Sequence, residues 1–504
     1  MRTRTLATAI AVASACLVGG LAPIAVAAPA KATPSKPKVA SDFNGDGYGD
    51  LVVNQNAGTV GGKAEAGAVV VLYGSKDGVN PAKRQVITQN TPGVPGTAEG
   101  YDRFGAQTVS GDYDADGYTD LAISASGEDI TFGTTYRRNA GQLAVVWGGK
   151  KGLTQHGATT VKQTTPTGAD VRRGSSLAAG DFNGDGRTDL ATADYSAGRG
   201  GEVLYGPISR TGTPKSTINL GLKEGGVGVH TALDAGDLTG DGISDLVVQV
   251  FSGRGEHINL STRIELQRGT KKGLVRIGKL TDAKDKWLVN WGATDDHLAV
   301  GDVNKDGHAD IALGREMTTG YPQRSGEVTV VFGGPQGQST SRAPQVITQD
   351  TFGVPDISEH DDYFGAAVAM GDTNADGYAD LAVGAPTESI DDKQHAGQVT
   401  TILGGGKGLS SEGARLYHQG TPGMPTAPAA YDFFGSAVKL VDLNGDRRAD
   451  LAVGSDGDEM HKGRVSVVPA AGSGANSAKA VAFTAPGIGL TEGYRTGFGT
   501  SFGH

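Results

Sequence analysis

Seven copies of a nine-residue acidic pattern could bind metal ions along this chain of 504 residues. Aspartate occupies positions 1, 5 and 9, an oxygen-bearing residue occupies position 3, and glycine occupies position 6 in six copies. Oxygen donors at alternate positions of a tight loop converge on one point, and calcium takes about six to eight of them. We therefore predict up to seven Ca²⁺ sites, with position 7 adding a backbone carbonyl by analogy with other calcium loops. The predicted side-chain ligands are Asp42, Asn44, Asp46, Asp50, Asp112, Asp114, Asp116, Asp120, Asp181, Asn183, Asp185, Asp189, Asp237, Thr239, Asp241, Asp245, Asp302, Asn304, Asp306, Asp310, Asp372, Asn374, Asp376, Asp380, Asp442, Asn444, Asp446 and Asp450.

Two of these acidic loops depart from the pattern and are predicted to bind calcium least well. Loop 4 has Thr239 at position 3, where a neutral hydroxyl is a poorer ligand than an amide or a carboxylate. Loop 7 has Arg447 in place of glycine, and a left-handed turn at a residue with a Cβ costs on the order of 1 kcal/mol. We expect the ions to hold the fold together rather than to contact a ligand, because each would neutralise carboxylates that otherwise repel one another.

The residues after each loop indicate a strand rather than a helix. An EF-hand loop closes with glutamate at position 12, whereas that position here is apolar or threonine in every copy. The aspartate at position 9 of each loop, called the ninth aspartate below, is followed by a short apolar stretch, such as Leu51–Val53. The acidic loop is therefore predicted to connect two strands.

The loops recur every 56 to 70 residues, which is the range of a four-stranded propeller blade with long connections. Around each loop the same order returns: a Phe-Gly segment, the loop, an apolar strand, a variable stretch, a glycine-bounded apolar strand such as 67–74, and a fourth segment such as 85–89. Four strands in each of seven repeats predict an all-β, seven-bladed β-propeller.

The two chain ends predict how this propeller closes. Eight residues separate Phe104, Phe364 and Phe434 from the first aspartate of their loops. The loop at Asp42 lacks a preceding Phe-Gly segment, but the chain ends with such a segment at 498–504, and Ser41 would supply its eighth residue. We predict one blade shared between the two termini, which leaves no open sheet edge.

The repeats resemble the FG-GAP repeats of integrin α-subunit N-terminal propellers and of related secreted bacterial FG-GAP and VCBS proteins. The sixth repeat is the most complete, with Phe364-Gly365, the loop from Asp372 to Asp380, and Gly384-Ala385-Pro386. The resemblance covers residues 41–504 and implies a calcium-stabilised propeller that acts as a binding or adhesion surface. Repeats 3 to 5 lack the Phe-Gly pair, and most repeats lack Gly-Ala-Pro.

The N-terminal residues predict export. Residues 1–27 have two arginines, an apolar stretch and a small-residue cleavage site, which is typical of a secretory signal, and 28–40 form a flexible lead-in rich in Ala, Pro and Lys. A secreted, extracellular chain would lose Cys16, its one cysteine, and calcium would replace disulfides as the staple. The alternative is a lipoprotein anchored in the envelope through Cys16. Nothing after the leader is long and apolar enough to span a membrane.

Charge gives no indication of a partner. Of 55 acidic residues, 22 lie in the seven loops, so most of the formal charge of −10 is ligand charge. No polybasic patch suggests a nucleic acid, and we expect a monomer.

Ligand recognition is predicted on the face opposite the acidic loops. The connections from second to third strands and from one blade to the next are long and carry aromatic residues beside charges, which suits an extracellular glycan or protein. The candidate contacts are Tyr101, Tyr136, Arg137, Arg138, Trp287, Trp291, His360, Tyr363, His395 and Tyr431. Asp102, Asp362 and Asp432 precede Phe-Gly by two residues and are interpreted as hydrogen bonders that position the blades.

No catalytic residue is predicted, and the chain is not expected to be an enzyme. Gly499–Gly503 matches the hydrolase pattern around Ser501, but it lacks the required strand-turn-helix context and is interpreted as the closing strand. The alternative is a lyase or hydrolase that acts on a polysaccharide at the propeller channel. Its first suspects would be His297, His360 and His395.

Overall fold

Each acidic loop joins the first two strands of a small antiparallel sheet. The computed structural model describes residues 41–163, 168–195, 200–222, 229–252, 261–281, 297–316, 325–472, 474–486 and 497–504, all within the compact unit Val39–His504. Seven sheets follow one another along the chain, and within each the strands pair in sequence order. These are the seven blades of a β-propeller, as predicted.

The blades are numbered in chain order. Blade 1 contains Leu51–Gln55, Ala68–Leu72 and Arg84–Ile87. Blade 2 contains Phe104–Gly111, Asp120–Ala125, Gln142–Trp147 and Thr154–Thr160. Blade 3 contains Ser176–Gly180, Asp189–Ala193, Glu202–Tyr205 and Ser216–Asn219. Blades 4 and 5 contain Val229–Gly236, Asp245–Ser252, Ser261–Arg268 and Val275–Lys279; and Leu298–Gly301, Asp310–Arg315, Glu327–Val331 and Gln345–Ile347. Blades 6 and 7 contain Ala367–Gly371, Asp380–Ala385, Gln398–Leu403 and Ser410–Tyr417; and Phe434–Val441, Asp450–Ser455, Arg464–Val468 and Val481–Thr484.

Within the described residues, three small hairpins and three short helical turns accompany the seven blades. The hairpin Ile130–Phe132 with Thr135–Arg137 lies in the connection between the second and third strands of blade 2. The others are Gly333–Gly334 with Gly337–Gln338 and Ala470–Ala471 with Gly474–Ala475. The helical turns are Pro81–Lys83, Asp458–His461 and Ser477–Lys479. Among the described residues, none of the helices has the length and apolarity to cross a membrane.

The hydrophobic core consists of seven separate clusters, and each lies between two neighbouring blades. Leu121 packs with Val52 between blades 1 and 2, for example, and Phe498 and Phe502 pack with Val465 between blades 7 and 1. The clusters connect every blade to the next and return to the first. The blades therefore form a closed ring.

The shared blade closes this ring as predicted. Phe502 pairs with Val53, the Asn54 amide donates to the Ser501 carbonyl at 3.1 Å, and the Gly503 amide donates to the Val52 carbonyl at 3.1 Å. Residues 501–503 are thus the innermost strand of blade 1. The Asp50 amide donates to the Ser41 carbonyl at 3.1 Å, so Ser41 completes the segment that the other end of the chain begins.

The Phe-Gly segment has a structural reason. The Phe434 amide donates to the Ala396 carbonyl of the previous blade at 2.9 Å. A Cβ on Gly397, whose φ is +83°, would lie 2.2 Å from the Phe434 carbonyl oxygen. Only glycine allows this approach, so the Phe-Gly segment anchors the blades that carry it against the previous blade.

Two faces follow from this antiparallel order. The acidic-loop face carries the connections between first and second strands and between third and fourth strands. The recognition face carries the connections between second and third strands and between successive blades.

Candidate functional site

The first aspartate of each acidic loop organises the loop backbone. In loop 1, Asp42 Oδ1 accepts from the Gly45 and Asp46 amides at 2.7 and 3.2 Å, and Oδ2 accepts from the Gly47 amide at 2.9 Å. The bond from position 6 to position 1 recurs in every loop. These bonds curl the backbone so that the side chains at positions 1, 3 and 5 project from one turn.

Position 6 is left-handed in all seven loops. The six glycines there have φ between +78° and +99°, and Arg447 adopts φ +69°. Arg447 thus adopts the expected left-handed conformation despite its Cβ, whereas weaker calcium binding by loop 7 stays a prediction.

The ninth aspartate has a role that the sequence analysis did not assign. In loop 3, Asp189 is fully buried, its Oδ2 accepts from the Phe182 amide at 2.9 Å, and its Oδ1 accepts from the Gly206 amide at 2.7 Å. Gly206 follows the third strand of the blade. In all seven loops the ninth aspartate makes this second bond, so it ties the acidic loop to the end of the third strand.

Burial raises the pKa of the ninth aspartates. The pKa of the Asp50, Asp120, Asp189, Asp310 and Asp450 carboxyls is about 7, because desolvation outweighs the backbone hydrogen bonds that they accept, and the other loop aspartates add repulsion. In the same way burial raises the pKa of Asp245 and Asp380. A nearby cation would favour the charged forms.

The donor set fits a hard cation. Every residue at positions 1, 3, 5 and 9 offers oxygen, and in loop 2 one carboxylate oxygen from each of Asp112, Asp114 and Asp116 lies within 4.8 Å of the others. Arg210 pairs with Asp114 and Asp116 at 2.6 and 2.9 Å, which shows that these carboxylates attract positive charge. The chemistry suits calcium better than zinc, which prefers nitrogen and sulfur.

Loop 4 differs from the others. In six loops the amide of position 2 donates to the ninth aspartate, whereas here the Thr239 amide at position 3 donates to Asp245 Oδ2 at 2.9 Å. Thr239 is also 4% exposed. Loop 4 thus uses a different backbone amide to hold its ninth aspartate, and its weaker calcium binding stays a prediction.

The recognition face carries a pocket of about 310 Å³ on blades 2 and 3. Tyr101 and Arg138 from the predicted contacts line it, together with Arg103, Ser126, Gly127, Asn139 and Arg172. Tyr101 is 60% exposed. Tyr136 and Arg137 belong to the adjacent hairpin, where Tyr136 is exposed and its hydroxyl donates to Asp129.

The other predicted contacts lie apart from this pocket. The His395 and Tyr431 rings have centroids 5.3 Å apart, and Phe433 lies 6.3 Å from Tyr431, so these residues form an aromatic cluster near blade 7. His360 pairs with Asp361 at 2.6 Å, and Tyr363 is half-buried with φ +55°. Trp287 and Trp291 lie outside the described residues. The predicted contacts thus fall into separate groups rather than one site.

The three aspartates before Phe-Gly are hydrogen bonders, as interpreted. Asp102 accepts from the Glu99 amide, Asp362 from the Glu359 amide, and Asp432 from the Ala429 amide. Each closes the turn that precedes the anchoring phenylalanine.

The central channel contains charges that the sequence analysis missed. A cavity of about 160 Å³ is lined by Asp234, Lys439 and His504 among apolar inner-strand residues. Burial raises the pKa of Asp234 to about 6, and burial with the Lys439 charge lowers the pKa of His504 to about 3. A comparison of the repeats could have found two of these residues. Asp234 and Lys439 stand three residues before their acidic loops, where repeats 2, 3, 5 and 6 have Val or Ala.

Two of the suspected groups are not placed for catalysis. His297 is 3% exposed and its Nε2 lies 3.5 Å from Glu316 Oε2, so its ring is buried beside a carboxylate. Ser501 lies in the closing strand, where the Asn54 side-chain amide donates to its hydroxyl at 3.1 Å. The hydrolase pattern is therefore part of the closure, as interpreted.

Comparison with known proteins agrees with the repeat architecture. The FG-GAP repeat model matches residues 39–72, 104–146, 296–331, 364–402 and 434–468, and the FG-GAP-like repeat model matches 181–248. Together the two models cover just over half of the chain.

Curated relatives share part of this chain. An integrin alpha pat-2 from Caenorhabditis briggsae is 30% identical over 50% of this chain and 20% of its own length. A phosphatidylinositol-glycan-specific phospholipase D from Bos taurus is 29% identical over 31% of this chain and 17% of its own length. This chain thus spans about a fifth of the length of these relatives.

Solved structures add only a distant likeness. A rhamnogalacturonan lyase is similar with a TM-score of 0.29 and 12% identity, over 84% of this chain and 85% of its own. A likeness at this level says nothing about activity. From the repeats, the closed ring and the family matches, the chain belongs to the FG-GAP repeat proteins and is an integrin-α-like, seven-bladed β-propeller.

Proposed function

We propose that this chain is a secreted, calcium-stabilised binding module that recognises an anionic extracellular glycan on its recognition face. The pocket on blades 2 and 3 is the observation that supports it. Its lining includes three guanidinium groups and an exposed tyrosine, and it includes no carboxylate.

The guanidinium groups are held by partners that do not themselves line the pocket. Arg103 pairs with Glu65 at 2.8 Å, and Arg138 pairs with Asp170 at 3.2 Å, while their side chains stay 43% and 67% exposed. Arg172 lies 5.1 Å from the centre of the Tyr195 ring. Arginines fixed in this way present their remaining N–H donors to a carboxylate or sulfate with little loss of side-chain entropy.

The size and the tyrosine favour a sugar. A pocket of about 310 Å³ lies at the small end of the range for ligand sites and suits one or two sugar rings. The Tyr101 ring offers an apolar surface for a sugar face. An acidic side chain of a protein is the competing ligand, since it would satisfy the same arginines.

Calcium has a structural part in this proposal. The residues at positions 1, 3, 5 and 9 would hold the ions, with loops 4 and 7 the weakest, and a bound ion would neutralise the carboxylates at each loop. The loops lie on the face away from the pocket, so the ions would support the blades and leave recognition to the opposite connections.

A polysaccharide-acting enzyme is the second candidate, and Asp234 in the channel is the observation in its favour. A raised carboxyl pKa beside Lys439 and His504 resembles an acid–base site. The cavity of about 160 Å³ is, however, smaller than the usual ligand pocket of roughly 300 Å³ or more, which favours binding.

The test is retention of the purified chain on immobilised polysaccharides that carry uronic acids or sulfates, on neutral polysaccharides and on extracellular-matrix proteins, with calcium present. We expect retention on the anionic polysaccharides without release of soluble sugar. The paired variant Arg138→Glu with Arg172→Glu should reduce retention at least tenfold. The charge-matched control Lys76→Glu with Lys151→Glu, both in third-to-fourth-strand connections on the acidic-loop face, should not.

Other outcomes would redirect the proposal. Retention on matrix proteins alone would replace the glycan by a protein ligand. Release of oligosaccharides that stops in an Asp234→Asn variant would establish the channel enzyme instead.

A further inference from the structure

A second set of carboxylates recurs on the recognition face, away from the acidic loops. A buried glutamine stands two residues after the end of a fourth strand, and the aspartate of the Asp-x-Phe-Gly turn follows thirteen residues later. Both residues lie near an acidic residue of the next blade. The three copies are Gln89 with Asp102 and Glu128, Gln349 with Asp362 and Glu388, and Gln419 with Asp432 and Asp458.

The second copy gathers three carboxylates. One oxygen from each of Glu359, Asp362 and Glu388 lies within 4.8 Å of the others, and Asp362 and Glu388 are only 3% and 4% exposed. The charges that act on Glu388 come from Asp362 and Asp356, which are also acidic. Burial and this repulsion raise the pKa of Glu388 to about 8 and that of Asp362 to about 6. Such a cluster is unfavourable unless positive charge enters it.

An unused oxygen donor borders the same cluster. Gln349 is 1% exposed, and its Nε2 lies 2.7 Å from Glu388 Oε2 and 3.3 Å from Asp356 Oδ2, while its Oε1 has no hydrogen-bond partner. A buried amide oxygen without a partner costs about 1–3 kcal/mol. A half-turn of this amide leaves its shape unchanged and directs Oε1 at the carboxylates, where a cation could join them.

The third copy shows what the protein does when it supplies the positive charge itself. Ala429 replaces the glutamate at the position of Glu359. Arg464 takes the place of Gln398 at the start of the third strand, as the strand registers show. Its Nε and Nη2 donate to Asp458 at 2.7 and 3.1 Å. Compared with the second copy, this copy has one carboxylate fewer and one guanidinium more, so its negative charge is compensated.

We propose that Glu359, Asp362 and Glu388, with the Gln349 amide oxygen, form a divalent-cation site on the recognition face between blades 5 and 6. All four donors are oxygen, so the ion is of the calcium class. The bound ion occupies the position that the Arg464 guanidinium takes between blades 6 and 7. It joins the two blades from the face opposite the acidic loops and is independent of the arginine-lined pocket on blades 2 and 3.

The test counts calcium ions bound to the full chain at saturation, by native mass spectrometry and by equilibrium dialysis. The variant Gln398→Arg copies the compensated arrangement of blade 7, because Gln398 Nε2 already lies 3.3 Å from Glu388 Oε2. We expect it to bind one ion fewer than the parent chain and to melt cooperatively. The variant Glu388→Gln should also lose one ion.

A reciprocal variant guards against loss through misfolding. Converting blade 7 to the acidic arrangement, with Ala429→Glu, Asp458→Glu and Arg464→Gln together, should add one ion. Asp376→Asn in acidic loop 6 is the control for the loop sites. The loss of bound calcium that it causes should add to the loss caused by Gln398→Arg. Equal ion counts for the parent chain and Gln398→Arg would overturn the inference, whatever the outcome of the glycan experiment.

Discussion

At the residue scale, the ninth aspartate of each acidic loop combines two tasks that can be separated by experiment. Its carboxylate accepts two buried backbone N–H groups, and it is also the predicted ligand closest to the core. The aspartate at position 5 lies at the exposed side of the same loop and makes no such link to the third strand. Comparing the two positions distinguishes a structural tie from metal binding.

We therefore predict different calcium dependence for Asp189→Ala and Asp185→Asn. Asp189→Ala leaves the Phe182 and Gly206 amides unpaired, so it should lower the free energy of unfolding by about 2–5 kcal/mol even in chelator. Asp185→Asn should have little effect in chelator and reduce the stabilisation by calcium. Urea unfolding of both variants, with and without calcium, checks this. Equal losses for the two variants in chelator would contradict the assignment.

Arg447 provides a second prediction at this scale. Its φ of +69° is unfavourable for an arginine, and its amide donates to Asp442 Oδ2 at 2.8 Å, a bond that glycine retains. Arg447→Gly should raise the free energy of unfolding by about 0.5–1 kcal/mol. The matched control is Arg448→Gly at the next position, where φ is not left-handed, and it should not stabilise. Thermal melts of the two variants in calcium show whether the left-handed turn is the cause.

At the element scale, the strand formed by residues 501–503 carries the closure of the whole ring. It contributes inner-strand hydrogen bonds to blade 1, and Phe502 from this strand and Phe498 just before it pack in the core between blades 7 and 1. Without it, blade 1 would expose an edge and the last core cluster would open. A short segment at one chain end therefore affects residues far away in sequence.

Deleting residues 491–504 should therefore unfold the ring as a unit rather than fray one end. We expect a fall in melting temperature on the order of 10 °C or more, or loss of the cooperative transition. Replacing the tip of the exposed hairpin, residues 131–136, with a glycine-serine turn is the control, since it removes no core residue. An unchanged melting temperature after the deletion would contradict closure by the shared blade.

At the scale of the whole molecule, hydrophobic packing closes the ring, and the acidic loops concentrate negative charge on one face of it. Seven inter-blade clusters supply the core, while each acidic loop places several carboxylates beside a buried ninth aspartate. Removing calcium from such loops would leave mutual repulsion around groups that burial already prefers neutral.

The carboxylates of the acidic loops predict that the stability of the fold depends on pH in opposite directions with and without calcium. In chelator, the five ninth aspartates with a pKa near 7 bind protons more tightly in the fold than in the unfolded chain, where the pKa is near 3.8. Stability should therefore fall as pH rises from 4 to 7. Calcium requires the charged forms, so its stabilisation should grow over the same range.

Melting curves at pH 5 and pH 8 provide the measurement. In chelator the chain should melt at the lower temperature at pH 8, and in millimolar calcium this difference should shrink or reverse. If the pH dependence were the same under both conditions, the loops would not be the origin of the effect.

Much of the architecture was predictable because repetition makes local patterns reliable. The spacing of the loops, the residues that follow Asp50 and its equivalents, and the eight-residue offset at the chain ends indicated the number of blades, their strand order and the shared blade. A single loop would have been ambiguous, since its chemistry alone also resembles an EF-hand start. The left-handed turn at Arg447 was likewise readable from one sequence position.

The functional surface was predictable only in part. Exposed aromatic residues of the recognition face could be named, yet Tyr101 and Arg138 share a pocket with Arg103 and Arg172, whereas Tyr431 and His395 belong to a separate cluster. These groupings depend on connections that differ from repeat to repeat. No internal repeat exists to compare them with.

The sequence by itself determined the donor chemistry, the blade count and the closure, because these depend on residue types at regular offsets. The tertiary structure alone decided which charges meet: Asp234 with Lys439 in the channel, and Glu359 with Glu388 between two blades. The physical reason is that electrostatic interaction depends on separation in space. In a ring, residues from distant repeats, and from opposite ends of the chain, converge on one axis or one inter-blade seam.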